Sequence, residues 1–272
     1  MTSRVLVFLS MALLIMFGCS TPSPEVGPPK AGKEAVARMI ETHGGLEKWR
    51  LAPTVSFEDA LQPADAPSPM VSRVTVEQGA RRAYLDFHEM GARISWDGEK
   101  AWGENWQGPY PPRFLALLSF YFANLPWLAA DPGVNLSEPG TGRLWDDPTE
   151  YITVKMSFEA GVGDTPDDYY ILYIDPNSYR LRAADLAVTY AGILPPDVKA
   201  ITEIIVYDEF ATVDGLTVPV RASVYGHDHS PRASFAWRDW SFRKPFDESR
   251  MVMPSNAVLD TSSPARAADT PK

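Results

Sequence analysis

The sequence predicts a mainly β domain with α: an antiparallel sheet preceded by one helix and interrupted by one apolar helix. Three observations predict it. Apolar residues alternate with period two through most of residues 70–242, and Asp-Gly or Asp-Pro-Asn turns separate the alternating runs. Spacings of three and four are concentrated near the start of the chain. These periods are the intervals at which strands and helices return a side chain to the same face.

The first element is expected as a helix from about Lys33 to Arg50. Ala35, Val36, Met39, Ile40, His43, Leu46 and Trp49 form one apolar stripe, and most charges fall on the other side. Gly44-Gly45 interrupts the stripe, so two helical pieces with a kink are expected. His43 lies on the stripe and reads as a satisfied, partly buried histidine more readily than as a base.

Strand signals follow. Met70, Val74 and Val76 share one face, as do Ala83, Leu85 and Phe87. Ile152, Val154, Met156 and Phe158 alternate with polar neighbours, whereas Tyr169 to Ile174 is apolar on both faces. Further runs cover Leu186–Tyr190, Ile201–Phe210, Val218–Val224 and Phe235–Phe242. The turns Asp97-Gly98, Asp175-Pro176-Asn177 and Asp214-Gly215 suit hairpins, because Asp-Gly supplies the positive φ that a tight turn needs. Short strands joined this way favour an antiparallel sheet over alternating βαβ units. Trp96 and Trp102 flank their turn and are expected to pack across it. Pro219 cannot donate to a ladder and is expected at a strand start or an edge.

One segment departs from this pattern. Pro112–Ala130 is almost wholly apolar, with Arg113 its only charge. Pro111-Pro112 should start a helix there and Pro126 should end it. A helix apolar on every side is either a core helix or a lid over a hydrophobic cavity. Trp102, Trp106, Tyr110, Phe114, Phe120, Tyr121, Phe122 and Trp127 concentrate aromatic rings here. Core packing would account for them. As a ligand surface, the candidate cavity or lid residues are Trp102, Trp106, Phe114, Leu117, Leu118, Phe120, Tyr121, Phe122 and Trp127.

The ends suggest export. Residues 1–18 read as a signal peptide, with Arg4 ahead of a 13-residue run from Val5 to Phe17 that is apolar except at Ser10. A bilayer span needs about 20 such residues. Met16-Phe17-Gly18-Cys19 resembles the bacterial lipobox, Leu-[Ala/Ser]-[Gly/Ala]-Cys, and matches it at Gly18 and Cys19. The resemblance implies cleavage before Cys19 and its lipidation, with acyl chains such as palmitate. It also implies outer-membrane delivery, since Ser20 stands where aspartate would signal inner-membrane retention. Secretion with a free thiol and an uncleaved anchor are the alternatives. Residues 19–31, with four prolines between Ser20 and Lys30, read as a lipidated flexible tether. Residues 32–253 read as the folded domain, and 254–272 as a disordered tail.

Composition narrows the function. Loss of residues 1–18 leaves 254 residues with a net charge of −11, which disfavours nucleic acid as a partner. Cys19 is the only cysteine, so no disulfide is available and an ordinary core must hold the domain. No Walker loop, dinucleotide fingerprint, G-x-S-x-G elbow or H-E-x-x-H occurs. The acid pairs Asp146-Asp147, Asp167-Asp168 and Asp208-Glu209 read as solvated surface. His227-Asp228-His229 has the look of a metal-ligand pair, but a third ligand is not evident. The expectation is therefore a non-enzyme with no cofactor and no metal.

Three motifs occur in order: His43-Gly44-Gly45-Leu46-Glu47-Lys48-Trp49, then Trp96-Asp97-Gly98-Glu99-Lys100-Ala101-Trp102. The third joins Tyr173-Ile174-Asp175-Pro176-Asn177 to the later run Tyr207–Pro219, with its Asp214-Gly215 turn. Their order resembles the LolA/LolB-like superfamily of periplasmic and outer-membrane lipoprotein carriers across most of residues 33–245. The resemblance implies a strongly curved antiparallel sheet, an incomplete β-barrel, with an N-terminal helix and one or more apolar capping helices. These would cover a hydrophobic cavity that takes acyl chains. No ligand-binding position carries over, and the stretch 103–148 is longer than the family pattern. The function expected is an envelope lipoprotein, facing the periplasm, that binds or carries a hydrophobic or acylated ligand. The alternative is a protein-docking lipoprotein with a packed interior; an envelope hydrolase with a site near residues 226–231 is a third class.

Overall fold

The computed structural model describes residues 31–262 except Gly161, Gly163, Asp164 and Pro166. The expected signal peptide, Cys19, residues 20–30 of the tether and residues 263–272 lie outside the described residues. The helical stripe forms two pieces, α1 (Ala31–Thr42) and α2 (Leu46–Arg50). Gly44 and Gly45 divide them at φ +102° and +89°, a region that side-chain-bearing residues avoid.

Five strands then run as a meander: β1 (Thr54–Pro63), β2 (Met70–Glu77), β3 (Ala83–Phe87), β4 (Ala92–Trp96) and β5 (Ala101–Glu104). Helix α3 (Pro112–Leu128) crosses to the second half. That half contains β6 (Val134–Leu136), β7 (Gly140–Gly142), β8 (Tyr151–Phe158), β9 (Tyr169–Ile174) and β10 (Leu181–Val188). It continues with β11 (Ile201–Val213), β12 (Leu216–Tyr225) and β13 (Pro231–Ser241), and β14 (Val258–Leu259) ends the series. Pairing of β13 with β1 joins the halves into one antiparallel sheet in the order β14-β5-β4-β3-β2-β1-β13-β12-β11-β10-β9-β8-β6, with β7 also on β8. Its two edges do not meet, so the sheet is not closed.

The alternating residues define an inner face. Val55, Phe57, Val74, Val76, Ala83, Leu85 and Ile94 enter the main core from the first half; Val154, Leu172, Ala184, Ile205 and Val218 enter it from the second. The outer face is charged, with Glu58 bonded to Arg238 at 2.6 Å and Asp86 held by Arg93 and Arg250 at 3.0 and 2.9 Å. Each such surface pair contributes little to stability.

Three local expectations are corrected and a fourth, for Pro219, is narrowed to one of its alternatives. Trp96 pairs with Ala101 and Trp102 with Ser95, so the two tryptophans project to opposite faces and do not pack across the turn. Of the two positions expected for Pro219, a strand start or an edge, it takes the second, in the middle of β12. It is tolerated because the β12–β13 ladder begins only at Arg221, which leaves that stretch of β12 a local edge.

The fold also continues past residue 253. Val258 and Leu259 pair with Gly103 and Trp102, and Asp260 Oδ2 accepts a hydrogen bond from Arg113 N at 2.7 Å. This carboxylate stands at the positive end of α3, where Pro111 offers no side-chain cap. The polar composition of the segment conceals both contacts.

Finally, α3 runs through Pro126 to Leu128 instead of ending there. Proline lacks the N–H that would bond the carbonyl four residues earlier. Tyr207 Oη donates to that carbonyl, Phe122 O, at 2.7 Å. Tyr207→Phe should therefore leave a buried acceptor without a donor and cost about 1–3 kcal/mol in chemical denaturation. An unchanged midpoint would refute this account of the helix.

Candidate functional site

Helix α3 is apolar all round because its two sides meet different things. On one side Phe120 and Trp127 lie against Trp49 of α2, with ring centroids 6.4 and 5.8 Å apart. Trp49 Nε1 donates to Asn124 Oδ1 at 2.9 Å, and Asn124 Nδ2 donates to Phe120 O at 3.0 Å. Nearby, Trp237 Nε1 of β13 donates to Ser119 Oγ at 2.8 Å. These polar atoms are buried and mutually satisfied, which fixes the rotation of the helix on the sheet.

The other side faces space. A cavity of about 250 Å³ separates α3 from β8–β10. Phe114, Leu117, Leu118, Tyr121, Phe122, Leu125 and Leu128 form its helical wall at spacings of three and four residues. Met156 and Phe158 of β8, Tyr170 of β9, Val188 of β10 and the following Tyr190 form the opposite wall. Leu117, Phe122, Leu125, Leu128 and Met156 are buried, whereas Tyr121 and Pro132 are exposed at the rim.

The residues expected from the sequence thus divide. Phe114, Leu117, Leu118, Tyr121 and Phe122 line the cavity. Phe120 and Trp127 belong to the packed side just described. Trp106 packs on Phe87 at 4.7 Å and donates its indole N–H to Tyr110 O at 3.0 Å. Trp102 shares the outer face with Ser95 and Tyr84 through the strand register. The strand residues were missed as site residues, because alternation marks a buried face without distinguishing packed neighbours from empty space.

Besides the phenols of Tyr121, Tyr170 and Tyr190, four groups supply polarity: Arg113, Asp131, Thr165 and Asp168. Asp131 takes Arg81 Nη2 at 3.0 Å, and that guanidinium also lies over the rings of Trp49 and Phe120. Asp168 accepts from Thr165 Oγ1, Thr189 N and Thr189 Oγ1 at 2.6, 2.6 and 2.7 Å. Asp168 is therefore a half-buried anchor for its loop, not the solvated surface acid expected. Burial pushes both carboxyls up from the ordinary aspartate range, and it pushes the Tyr170 phenol up as well. All three shifts have the sign of a water-poor environment.

Four further titratable side chains lie elsewhere. His43 is fully buried; its Nδ1 donates to Thr217 O at 2.8 Å, and its Nε2 accepts from Leu181 N at 3.2 Å. Those partners select the neutral tautomer protonated at Nδ1, and burial lowers the pKa to about 4. Asp59 is buried on the inner face with no partner for Oδ1, and burial raises its pKa to about 7. His227 Nε2 lies 3.0 Å from Asp185 Oδ1, while His229 stacks on Trp145 at 4.1 Å. Among the described residues no three His, Cys, Asp or Glu side chains converge in a metal-binding group.

No family model matches the chain, and no curated protein matches it by sequence. Solved structures do. A LolA superfamily protein from Nitrosomonas europaea aligns with a TM-score of 0.51 at 10% identity, over 82% of this chain and 98% of that one. A DUF1329 family protein from Desulfovibrio piger aligns with a TM-score of 0.52 at 7% identity, over the same 82% and 98%. The fold is LolA-like. At these identities the likeness concerns architecture alone, and within the LolA-like sheet the cavity owes its position to α3.

Proposed function

We propose that this chain is a non-enzymatic, membrane-anchored lipoprotein of the bacterial envelope that binds or carries a hydrophobic or acylated ligand. Lipidation at Cys19 would tether it to the outer membrane, facing the periplasm. The observation that carries the reading is the unfilled apolar slot between α3 and β8–β10, with its buried floor and exposed rim. Burial of an alkyl chain against such walls stabilises a complex by about 25 cal/mol per Å² of apolar surface removed from water. The LolA-like fold and the single lipobox-like cysteine support the same reading.

Native mass spectrometry tests it. The protein purified without detergent should carry a co-purified adduct of lipid mass, or acquire one when offered a monomeric amphiphile. Absence of both would favour the protein-docking alternative, for which the ring-packed side of α3 gives some ground.

A further inference from the structure

We infer that the cavity takes one acyl chain at a time and excludes ligands that must insert two or three; this rests on reading the cavity as a lipid site. The first ground is shape. The helical wall from Phe114 to Leu128 is about 21 Å long at 1.5 Å per residue, yet the cavity holds only about 250 Å³. At the width of a single alkyl chain, that volume is used up over roughly half of the wall. On the scale by which an apolar cavity of about 150 Å³ takes a benzene ring, it has room for about ten carbons.

The second ground is that the wall is pinned. A second chain beside the first requires α3 to move away from β8–β10, toward side chains that already hold it. Trp49–Asn124, Trp237–Ser119 and Tyr207–Phe122 are hydrogen bonds between buried groups that fix the helix in its present position. The ends are tied too. Asp260 holds the first turn at Arg113 N, while Arg50 Nη2 donates to Ala130 O at 2.8 Å just past the last turn. Breaking buried bonds without replacement is costly, so the slot does not widen at the expense of this packing.

The third ground lies at the margins. Asp131 and Asp168 flank the apolar floor, and their carboxylates are bonded within the protein. A chain laid alongside the first would press hydrocarbon against them. A single chain on the floor of Leu117, Phe122, Leu125 and Leu128 avoids both, leaving its head group at the rim beside Tyr121 and Pro132.

Isothermal titration of the full chain carrying Cys19→Ser, so that no covalent lipid competes, tests the inference. The probes are monomeric lysophospholipids of six to sixteen carbons, a short-chain diacyl phosphatidylcholine and a triacylated lipopeptide. Affinity should rise about fourfold per methylene, level off near ten carbons, and exceed that for the diacyl probe of equal chain length at least tenfold. Free fatty acid and monoacylglycerol of ten carbons identify the head group, and tight binding of either supports the one-chain slot equally. Leu118→Trp should weaken one-chain binding tenfold or more, while Leu51→Trp, at a site 76% exposed and away from the cavity, should not. Two- or three-chain probes binding as tightly as one-chain probes would overturn the inference and leave the lipid-site reading standing. Binding of no probe would defeat both.

Discussion

Asp59→Asn should stabilise the protein by about 4 kcal/mol at pH 8 and leave its stability unchanged near pH 3. Asp59 projects inward from β1, paired across the ladder with Trp237 and facing Ser119 of α3. Those uncharged neighbours favour the carboxylate, but desolvation outweighs them and lifts the pKa from 3.8 to about 7. The native carboxyl therefore keeps its proton up to about pH 7, whereas the unfolded chain releases it near 3.8. Stability from this group is complete below pH 3.8 and declines as pH rises toward 7. Asparagine preserves the shape and has no charge to desolvate. Urea unfolding of both proteins at pH 3, 5 and 8 isolates the effect, because every other titrating group is common to the pair. Free-energy curves that stay parallel across this range would show that Asp59 is solvated.

The parts of the fold that the sequence reveals are those where one period is enough. Val74, Val76, Leu85 and Phe87 announce an inner face because a strand allows only two faces. The turn at Asp214-Gly215 and the His43-Gly44-Gly45 break are both visible, and the structure shows why they belong together. His43 O accepts from Thr217 N at 3.0 Å, and Lys48 Nζ donates to Gly215 O at 3.2 Å, so the two motifs are halves of one contact. What the sequence hides is long-range. Pro126 reads as a helix end because nothing local reveals that Tyr207 will serve the orphaned carbonyl. Residues 258–260 read as tail because two apolar residues and one acid acquire meaning only beside β5 and α3. Which of the nine apolar candidates line the cavity is hidden for a similar reason. The apolar helix names its residues, but only the tertiary fold decides that Phe114, Leu118 and Tyr121 face space while Phe120 and Trp127 face rings.

His43→Ala should cost about 4 kcal/mol at pH 7, because it leaves Thr217 O without its donor and Leu181 N–H without its acceptor. It also opens a void beside Trp127 and Phe210, whose rings meet the imidazole edge-on at 5.8 and 5.4 Å. The deficit should shrink in acid. Burial keeps the native imidazole neutral down to about pH 4, while the unfolded chain accepts a proton below 6.5. Wild type thus loses about 3 kcal/mol of stability from this group as pH falls from 6.5 to 4, and the variant has nothing to lose. Over the same interval Asp59 acts with the opposite sign, so the two slopes oppose one another in the wild-type protein. Removing His43 should expose the Asp59 slope, and the variant should gain stability as the solution is acidified. Removing Asp59 should expose the histidine slope, and that variant should lose stability over the same range. Unfolding free energies at pH 4 and 6.5, each variant against wild type, decide the matter: a difference from wild type that stays constant between the two pH values would mean that the group removed is not buried as described.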